Sequence, residues 1–269
     1  MAQTKVYLLD GGSLVLDGFH IFWNRGPAGE IRFPCYSVLI DHPEGRFLFD
    51  TGFDLAHVQK VLPFEKPLQT EEQSLTSALA KLGLKPKEIT CLINSHFHFD
   101  HCGGNKHFGQ TKTICHALEL EALANPLPFE KLGYSDLSFV PEAAEARAKD
   151  SPLEASELKA LYPDFELIQG DRQIVKGLWL LETPGHTAGH YSLMVELSGR
   201  APMLFTADAC YGQKNLEMMC QSSFHVDPVA GYRSLERLKD LASQHQAELF
   251  FSHEYESYQQ YLKAPAYYA

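Results

Sequence analysis

The chain has 269 residues, 45% of them hydrophobic, and a formal net charge of -11 at pH 7. This length suits one large domain with a sizeable core, and the acidic balance argues against nucleic acid as a partner. No apolar stretch approaches the ~18 residues of a membrane span, so we expect no membrane partner. The amino-terminal residues lack the pattern of a signal peptide, which predicts a cytoplasmic protein.

Alternating and continuous apolar runs predict strands in the first third of the chain, with one helix among them. The predicted strands cover residues 5–9, 13–16, 36–40, 46–49 and 90–95, and the helix covers 71–82. Residues 117–163 have another texture, rich in alanine and glutamate and interrupted by prolines. They predict a helical insertion that lies over the functional site rather than a separate domain.

Strands resume after the insertion, and each of several ends directly before a polar residue. The predicted strands cover residues 165–168, 178–182, 191–196, 203–206 and 248–252. The pair Asp227-Pro228 predicts the start of a helix with an apolar face. The strands come in two batches, each followed by helices. The two batches also have similar strand ends, at residues 48–52 and 204–208. Both features favour an α/β fold. We expect a single domain over 1–269, built of two halves packed sheet against sheet.

Six consecutive residues carry the strongest chemical signal: His96-Phe97-His98-Phe99-Asp100-His101. They follow an apolar run that predicts a strand. In a strand, His96 and His98 would point to the same side and could bind one metal ion. Asp100 and His101 lie farther on and could turn toward a second ion. Imidazole and carboxylate ligands suit Zn²⁺.

Three further candidate ligands each follow an apolar strand. His186 lies in the turn Thr183-Pro184-Gly185-His186, Asp208 follows Leu-Phe-Thr-Ala, and His253 follows Leu-Phe-Phe-Ser. Two metal ions about 3.5–4 Å apart require such additional ligands, at least one of which bridges them. The neighbouring His190 is expected to support a ligand or to pack in the core. The sequence thus predicts a metal-dependent hydrolase.

In these motifs the chain resembles the metallo-β-lactamase superfamily. The resemblance implies a four-layer αββα sandwich with a dinuclear zinc site at the edge of the sheets. It implies that His96, His98 and His186 bind one zinc ion, and that Asp100, His101 and His253 bind the other. Asp208 and a hydroxide would bridge the two ions. Asp50 would hold a ligand histidine in place.

Departures from other branches of the superfamily narrow the resemblance to the lactonases. β-Lactamases carry a cysteine where Asp208 stands, and the redox di-iron members usually carry glutamate in place of His98. Lactonases are similar in having a tyrosine at Tyr211, which contacts the substrate carbonyl. Zinc lowers the pKa of a bound water to about 7, and the resulting hydroxide could attack a lactone. Asp100, Asp208 and Tyr211 are the candidate catalytic residues, and either aspartate could carry the proton.

Five segments that include residues outside the metal motif resemble those lactonases that open 4-pyridoxolactone in vitamin B6 degradation. They are residues 4–18, 22–27, 95–106, 132–139 and 224–231. A flat aromatic substrate favours aromatic pocket walls. The candidate substrate-binding residues are Trp23, Arg25, Phe99, Tyr211 and His225. An N-acyl homoserine or γ-butyro-type lactonase with the same machinery is an alternative, and a non-hydrolytic di-iron redox protein is another.

The six cysteines do not form Cys-x-x-Cys pairs and lie in strand-like or apolar segments. Such cysteines predict reduced, packed thiols. They are Cys35, Cys91, Cys102, Cys115, Cys210 and Cys220.

Overall fold

The computed structural model describes residues 3–109, 111–134 and 164–269. Within them, one sheet has six strands in the order of the chain. Its first three strands are antiparallel and the next three pair in parallel. The strands are β1 (Lys5–Asp17), β2 (Glu30–His42), β3 (Gly45–Phe49), β4 (Cys91–Ile93), β5 (Lys112–His116) and β6 (Phe165–Ile168).

The second sheet of the described chain has five strands in the reverse order, β11-β10-β9-β8-β7. Strands β10 and β11 pair in parallel, and the other neighbouring strands of this sheet pair antiparallel. The strands are β7 (Arg172–Val175), β8 (Leu178–Glu182), β9 (Tyr191–Val195), β10 (Met203–Phe205) and β11 (Glu248–Phe250).

Helices join the strands and cover the outer faces of the sheets. Among the described residues they are α1 (Gly18–Ile21), α2 (Leu55–Val61), α3 (Leu75–Lys81), α4 (Phe99–Cys102), α5 (Ala117–Ala124), α6 (Gln213–Met218), α7 (Pro228–His245) and α8 (Tyr255–Gln260). Helix α7 begins as predicted, because the Asp227 side chain accepts hydrogen bonds from Val229 and Ala230. No helix of these segments is long and apolar enough to cross a membrane.

The core shows how the layers stack. Ile40 and Ile93 of the first sheet pack in one buried cluster with Leu193 and Phe205 of the second. On the outer faces, Leu79 of α3 packs against the first sheet and Leu235 of α7 against the second. The order of layers is therefore helix, sheet, sheet, helix, which confirms the predicted αββα sandwich.

Several predicted boundaries were wrong. The strands expected at 5–9 and 13–16 form one strand, β1, whose pairing with β2 shifts between Asp10 and Ser13. The helix expected at 71–82 is a 3-10 turn at Glu71–Gln73 followed by α3. Strands β5 and β7 were not predicted, since both are short and half of the β7 residues are polar. Of the expected insertion at 117–163, helix α5 is described and residues 135–163 lie outside the described part.

Candidate metal centre and its cavity

The candidate ligands meet at one edge of the sandwich because each follows the carboxyl end of a strand. Parallel pairing of β3 with β4, and of β10 with β11, aligns those ends. Strand β4 ends at Ile93. The expectation that His96 and His98 lie in a strand was therefore wrong. His98 instead directly precedes α4, and the loop brings the two imidazoles together.

The seven candidate ligands form two groups in the structure. In each group the nitrogen and carboxylate oxygen atoms lie within 4.8 Å of one another. The first group is His96, His98 and His186, and the second is Asp100, His101, Asp208 and His253. All are buried or nearly so, and four of them line a cavity: His98, Asp100, His186 and Asp208. The resemblance implied two sets of three ligands with Asp208 as a bridge, and the structure groups Asp208 with the second set.

Asp208 belongs to the second group but also reaches the first. One carboxylate oxygen, Oδ1, is 3.0 Å from Nε2 of His101 and 3.0 Å from Nε2 of His253. The other, Oδ2, is 3.3 Å from Nε2 of His186. The two oxygens of one side chain thus face different groups, as a bridging ligand requires. Asp100 faces the second group, with Oδ2 3.6 Å from Nε2 of both His101 and His253.

The converging atoms fit metal ions better than they fit one another. Nε2 of His96, His101 and His253 and Oδ1 of Asp208 are buried and make no hydrogen bond of normal geometry with any described residue. Buried polar atoms without partners are costly and call for an explanation. Two cations would satisfy all four, one beside His96 in the first group and one beside His101, His253 and Asp208 in the second. The donor set of imidazoles and carboxylates suits zinc.

A layer of hydrogen bonds orients these ligands from behind. The Asp50 carboxylate accepts from Nδ1 of His101 at 2.8 Å, and from the backbone and hydroxyl of Ser95. Nδ1 of His253 donates to the Pro34 carbonyl at 3.0 Å. His190, placed near the site by the sequence, accepts from the Asp208 backbone N–H at 3.0 Å. The contacts to Nδ1 of His101 and of His253 leave Nε2 of each histidine facing the centre.

Glu119 is a supporting residue that the sequence analysis missed. It is fully buried on α5, far from the motifs along the chain. Its carboxylate accepts from the backbone N–H of Phe97 at 3.0 Å and from that of Gly189 at 2.9 Å. The first lies between His96 and His98, and the second lies just after His186. One side chain therefore ties both histidine loops together, a role that only the tertiary structure reveals.

Two residues at the strand ends have an unusual backbone. Asp50 after β3 has φ 57° and Ala207 after β10 has φ 43°, both in the left-handed region. Residues other than glycine rarely adopt this conformation, and such strain is concentrated at functional sites. The turn at Gly185 is also demanding, since φ is 128° and a Cβ would lie 2.1 Å from the Gly231 nitrogen. The chain thus bends sharply where it delivers its ligands.

Burial and neighbouring charges give the ligand side chains different protonation states. Burial lowers the pKa of His98 and of His186 to about 3, so both are neutral and able to bind a cation. Burial also disfavours charge on Asp208, but the neighbouring histidines, His253 first, hold its pKa well below the usual value. Burial raises the pKa of Asp100. The bridging position therefore holds a carboxylate and the flanking one a weaker acid.

The cavity above the ligands has a volume of about 650 Å³ and mostly apolar walls. Three of the expected substrate-binding residues line it: Phe99, Tyr211 and His225. Trp23 and Arg25 are not among the described residues that line it. Trp23 packs edge-on against the His225 ring at 4.4 Å between centroids, and Arg25 is exposed. Wall residues that the sequence analysis did not single out include Phe33, Leu62, Glu65, Glu130 and His20.

Tyr211 is buried at the floor of this cavity. Its ring lies edge-on to His253, with the centroids 4.8 Å apart. Burial, followed by the Asp208 charge, raises the pKa of the Tyr211 hydroxyl well above its usual value. The hydroxyl is therefore protonated at neutral pH and available as a hydrogen-bond donor.

All six cysteines are buried and free, in agreement with packed thiols.

Comparison with known proteins agrees with this geometry. Residues 31–253 match the protein-family model of the metallo-beta-lactamase superfamily. The chain is 30% identical over 270 residues to an N-acyl homoserine lactonase of Bacillus cereus, with 95% of each chain covered. It is 27% identical over 277 residues to the N-acyl homoserine lactonase AttM of Rhizobium radiobacter, with both chains fully covered.

A similar solved structure is that of an N-acyl homoserine lactone hydrolase with the product N-hexanoyl-L-homoserine bound at its catalytic metal center. It has a TM-score of 0.82 and 28% sequence identity, and the comparison covers all of both chains. The family match spans most of the sequence, and the two relatives of matching length named above are N-acyl homoserine lactonases. The chain therefore belongs to the metallo-beta-lactamase superfamily, within its lactonase branch.

Proposed function

We propose that this lactone hydrolase uses two zinc ions to open 4-pyridoxolactone to 4-pyridoxic acid. The observation that carries the hydrolytic part is that Asp208 belongs to the second group of ligand atoms but also reaches the first. When bound, the two zinc ions would supply hydroxide at neutral pH and polarise the lactone carbonyl. His96, His98 and His186 would hold one ion, and Asp100, His101 and His253 the other, with Asp208 shared.

The protein supplies the remaining steps through three side chains. Tyr211 stays protonated, so its hydroxyl donates to the carbonyl oxygen as negative charge develops there. Asp208 stays ionised and holds the two ligand groups in a fixed relative position. Asp100, the weaker acid, carries a proton to the ring oxygen that leaves as an alkoxide. This leaves Asp208 free of proton transfer, an assignment that the sequence left open.

The pyridine substrate is supported by segments outside the metal motif. Residues 224–231 and 132–139 resemble the pyridoxolactone-hydrolysing lactonases, and parts of both segments line the cavity at Phe224, His225, Leu132 and Gly133. Aromatic rings at Phe33 and Phe99 offer flat apolar surface to a ring substrate. Trp23, in the similar segment 22–27, packs against His225. The likeness thus concerns residues that shape the pocket as well as the ligands.

A second candidate substrate is an N-acyl homoserine lactone. Two observations favour it: the two relatives of matching length named above are N-acyl homoserine lactonases, and a cavity of about 650 Å³ has room for an acyl chain. The mechanism would be unchanged. A di-iron redox protein is disfavoured by His98, which stands where those members usually have glutamate; visible absorbance from bound iron would support it.

The deciding experiment is steady-state hydrolysis by purified, zinc-loaded protein. 4-Pyridoxolactone and N-hexanoyl homoserine lactone are offered separately, with His98→Ala as the control. Turnover of the pyridine lactone that is lost in the control supports the proposal. Turnover of the homoserine lactone alone assigns the second function, and turnover of neither substrate refutes both.

A further inference from the structure

Glu65 is a buried carboxyl group that the mechanism above does not use. It lies on the short 3-10 turn Pro63–Glu65, and only 6% of its surface is exposed. It lines the same cavity as Asp208 and Tyr211. Within residues 3–109, 111–134 and 164–269, its carboxyl makes no hydrogen bond or ion pair.

An unpaired buried carboxyl is unfavourable for folding, so its position needs a reason. Burial, with a smaller contribution from the Asp100 charge, raises the pKa of Glu65 to about 8. The adjacent walls at Leu62, Phe33 and Phe99 are apolar and offer no hydrogen bond. Replacing such a group by a hydrocarbon of similar size is commonly neutral or stabilising. The natural partner for Glu65 is therefore a molecule in the cavity.

The chemistry of Glu65 selects one kind of partner. A carboxyl beside a basic ring nitrogen can share one proton with it, as acid with pyridine or as carboxylate with pyridinium. Proteins use an acidic residue in this way to hold a pyridine cofactor. A hydrocarbon chain offers Glu65 nothing comparable and would leave the carboxyl buried without a partner.

We propose that Glu65 recognises the ring nitrogen of a nitrogen-heteroaromatic lactone by sharing one proton with it, while the lactone carbonyl faces the ligand cluster. This inference deepens the proposed function and rests on it. It makes Glu65 a specificity-determining residue, which acts on binding of the pyridine ring rather than on the chemistry of the carbonyl.

The test compares three lactones in wild type, Glu65→Leu and Glu65→Gln. They are 4-pyridoxolactone, phthalide, which fuses the lactone to a ring without nitrogen, and N-hexanoyl homoserine lactone. We expect Glu65→Leu to lower kcat/KM for the pyridine lactone about 10- to 100-fold, mainly through KM. Its kcat/KM for phthalide should change less than about 3-fold. Glu65→Gln can still donate to the ring nitrogen and should recover part of the loss.

Thermal unfolding and zinc content separate recognition from a structural role. Glu65→Leu should keep its zinc and unfold at the same or a higher temperature, since it removes an unpaired buried carboxyl. Glu256→Leu, at an exposed site on α8, is the control for a surface carboxylate. Loss of stability or zinc in Glu65→Leu, or an equal loss on all three lactones, overturns the inference.

The substrate comparison also keeps the two proposals apart. If wild type opens the pyridine lactone and Glu65→Leu opens it equally well, the inference fails and the proposed function stands. If wild type opens only the homoserine lactone, the proposed substrate and the role of Glu65 fail together. Selective loss of the pyridine lactone in Glu65→Leu supports both.

Discussion

Asp50 and His101 are joined by a hydrogen bond of 2.8 Å between Oδ2 and Nδ1, although 51 positions separate them along the chain. The bond leaves Nε2 of His101 directed at Asp208, 3.0 Å away. Asp50 stands at the strained end of β3 and His101 on the short helix α4. The two elements are brought together because β3 and β4 pair in parallel.

Replacing Asp50 with asparagine should weaken metal binding. Because the carboxylate fixes the tautomer and orientation of His101, we expect zinc affinity to fall about 10- to 100-fold. Competition with a chromophoric chelator measures this. Asp41→Asn is the matched control, since Asp41 lies near the end of β2 and pairs with Arg46 at the surface. Unchanged affinity in Asp50→Asn would show that the hydrogen bond is incidental.

Replacing Glu119 should loosen both histidine loops at once. Glu119→Ala leaves the buried N–H groups of Phe97 and Gly189 without acceptors, at about 1–3 kcal/mol each. Urea unfolding of the metal-free protein should reveal the loss, and zinc titration should show weaker binding. Glu121→Gln, at an exposed position of the same helix, is the control. A Glu119→Ala variant as stable as wild type would show that Glu119 does not support the two histidine loops.

The hydroxyl of Tyr211 should matter for turnover and little for binding. Tyr211→Phe keeps the ring against His253 but removes the donor, so kcat should fall about 10²-fold while KM changes little. Steady-state kinetics on the preferred lactone gives both constants. Tyr258→Phe, a buried tyrosine stacked on Tyr36 away from the cavity walls, should retain wild-type kcat. Equal kcat in both variants would exclude Tyr211 from catalysis.

Trp23 should act through His225 and not by touching the substrate. Its ring is 40% exposed and packs on His225, which lines the cavity. Trp23→Ala and His225→Ala should each raise KM more than they lower kcat. In the double variant the two effects should fall short of their sum, because both disturb one contact. Phe19→Ala, another exposed aromatic, is the control, and strictly additive effects would contradict the coupling.

Metal removal should lower the free energy of unfolding. Among the described residues, the buried ligand atoms of His96, His101, His253 and Asp208 make no hydrogen bond of normal geometry. Bound zinc would therefore stabilise the native state. With free zinc 100-fold above its Kd, the gain should be about 2.7 kcal/mol. Thermal or urea unfolding with and without chelator measures it. A metal-independent midpoint would argue that these side chains do not form a metal site.

The sequence alone was sufficient to identify the seven candidate ligands. Four of them stand in the motif at 96–101, and the other three, His186, Asp208 and His253, each follow an apolar strand within a few residues. Asp208 and His253 illustrate this, since each is a single residue recognised by the strand before it. The same local patterns located most strands to within a few residues, because burial on both faces leaves continuous apolar runs.

Tertiary structure decided which distant groups meet. Glu119 and Glu65 lie outside every motif, and neither has a local pattern that marks it. Glu119 becomes a support because the packing of α5 carries it to two loops, and Glu65 becomes part of a cavity wall because a short turn folds inward. Packing likewise places the Trp23 ring against His225, a contact that the sequence did not predict. Local sequence encodes strand, turn and ligand type, whereas long-range packing determines which side chains share a cavity.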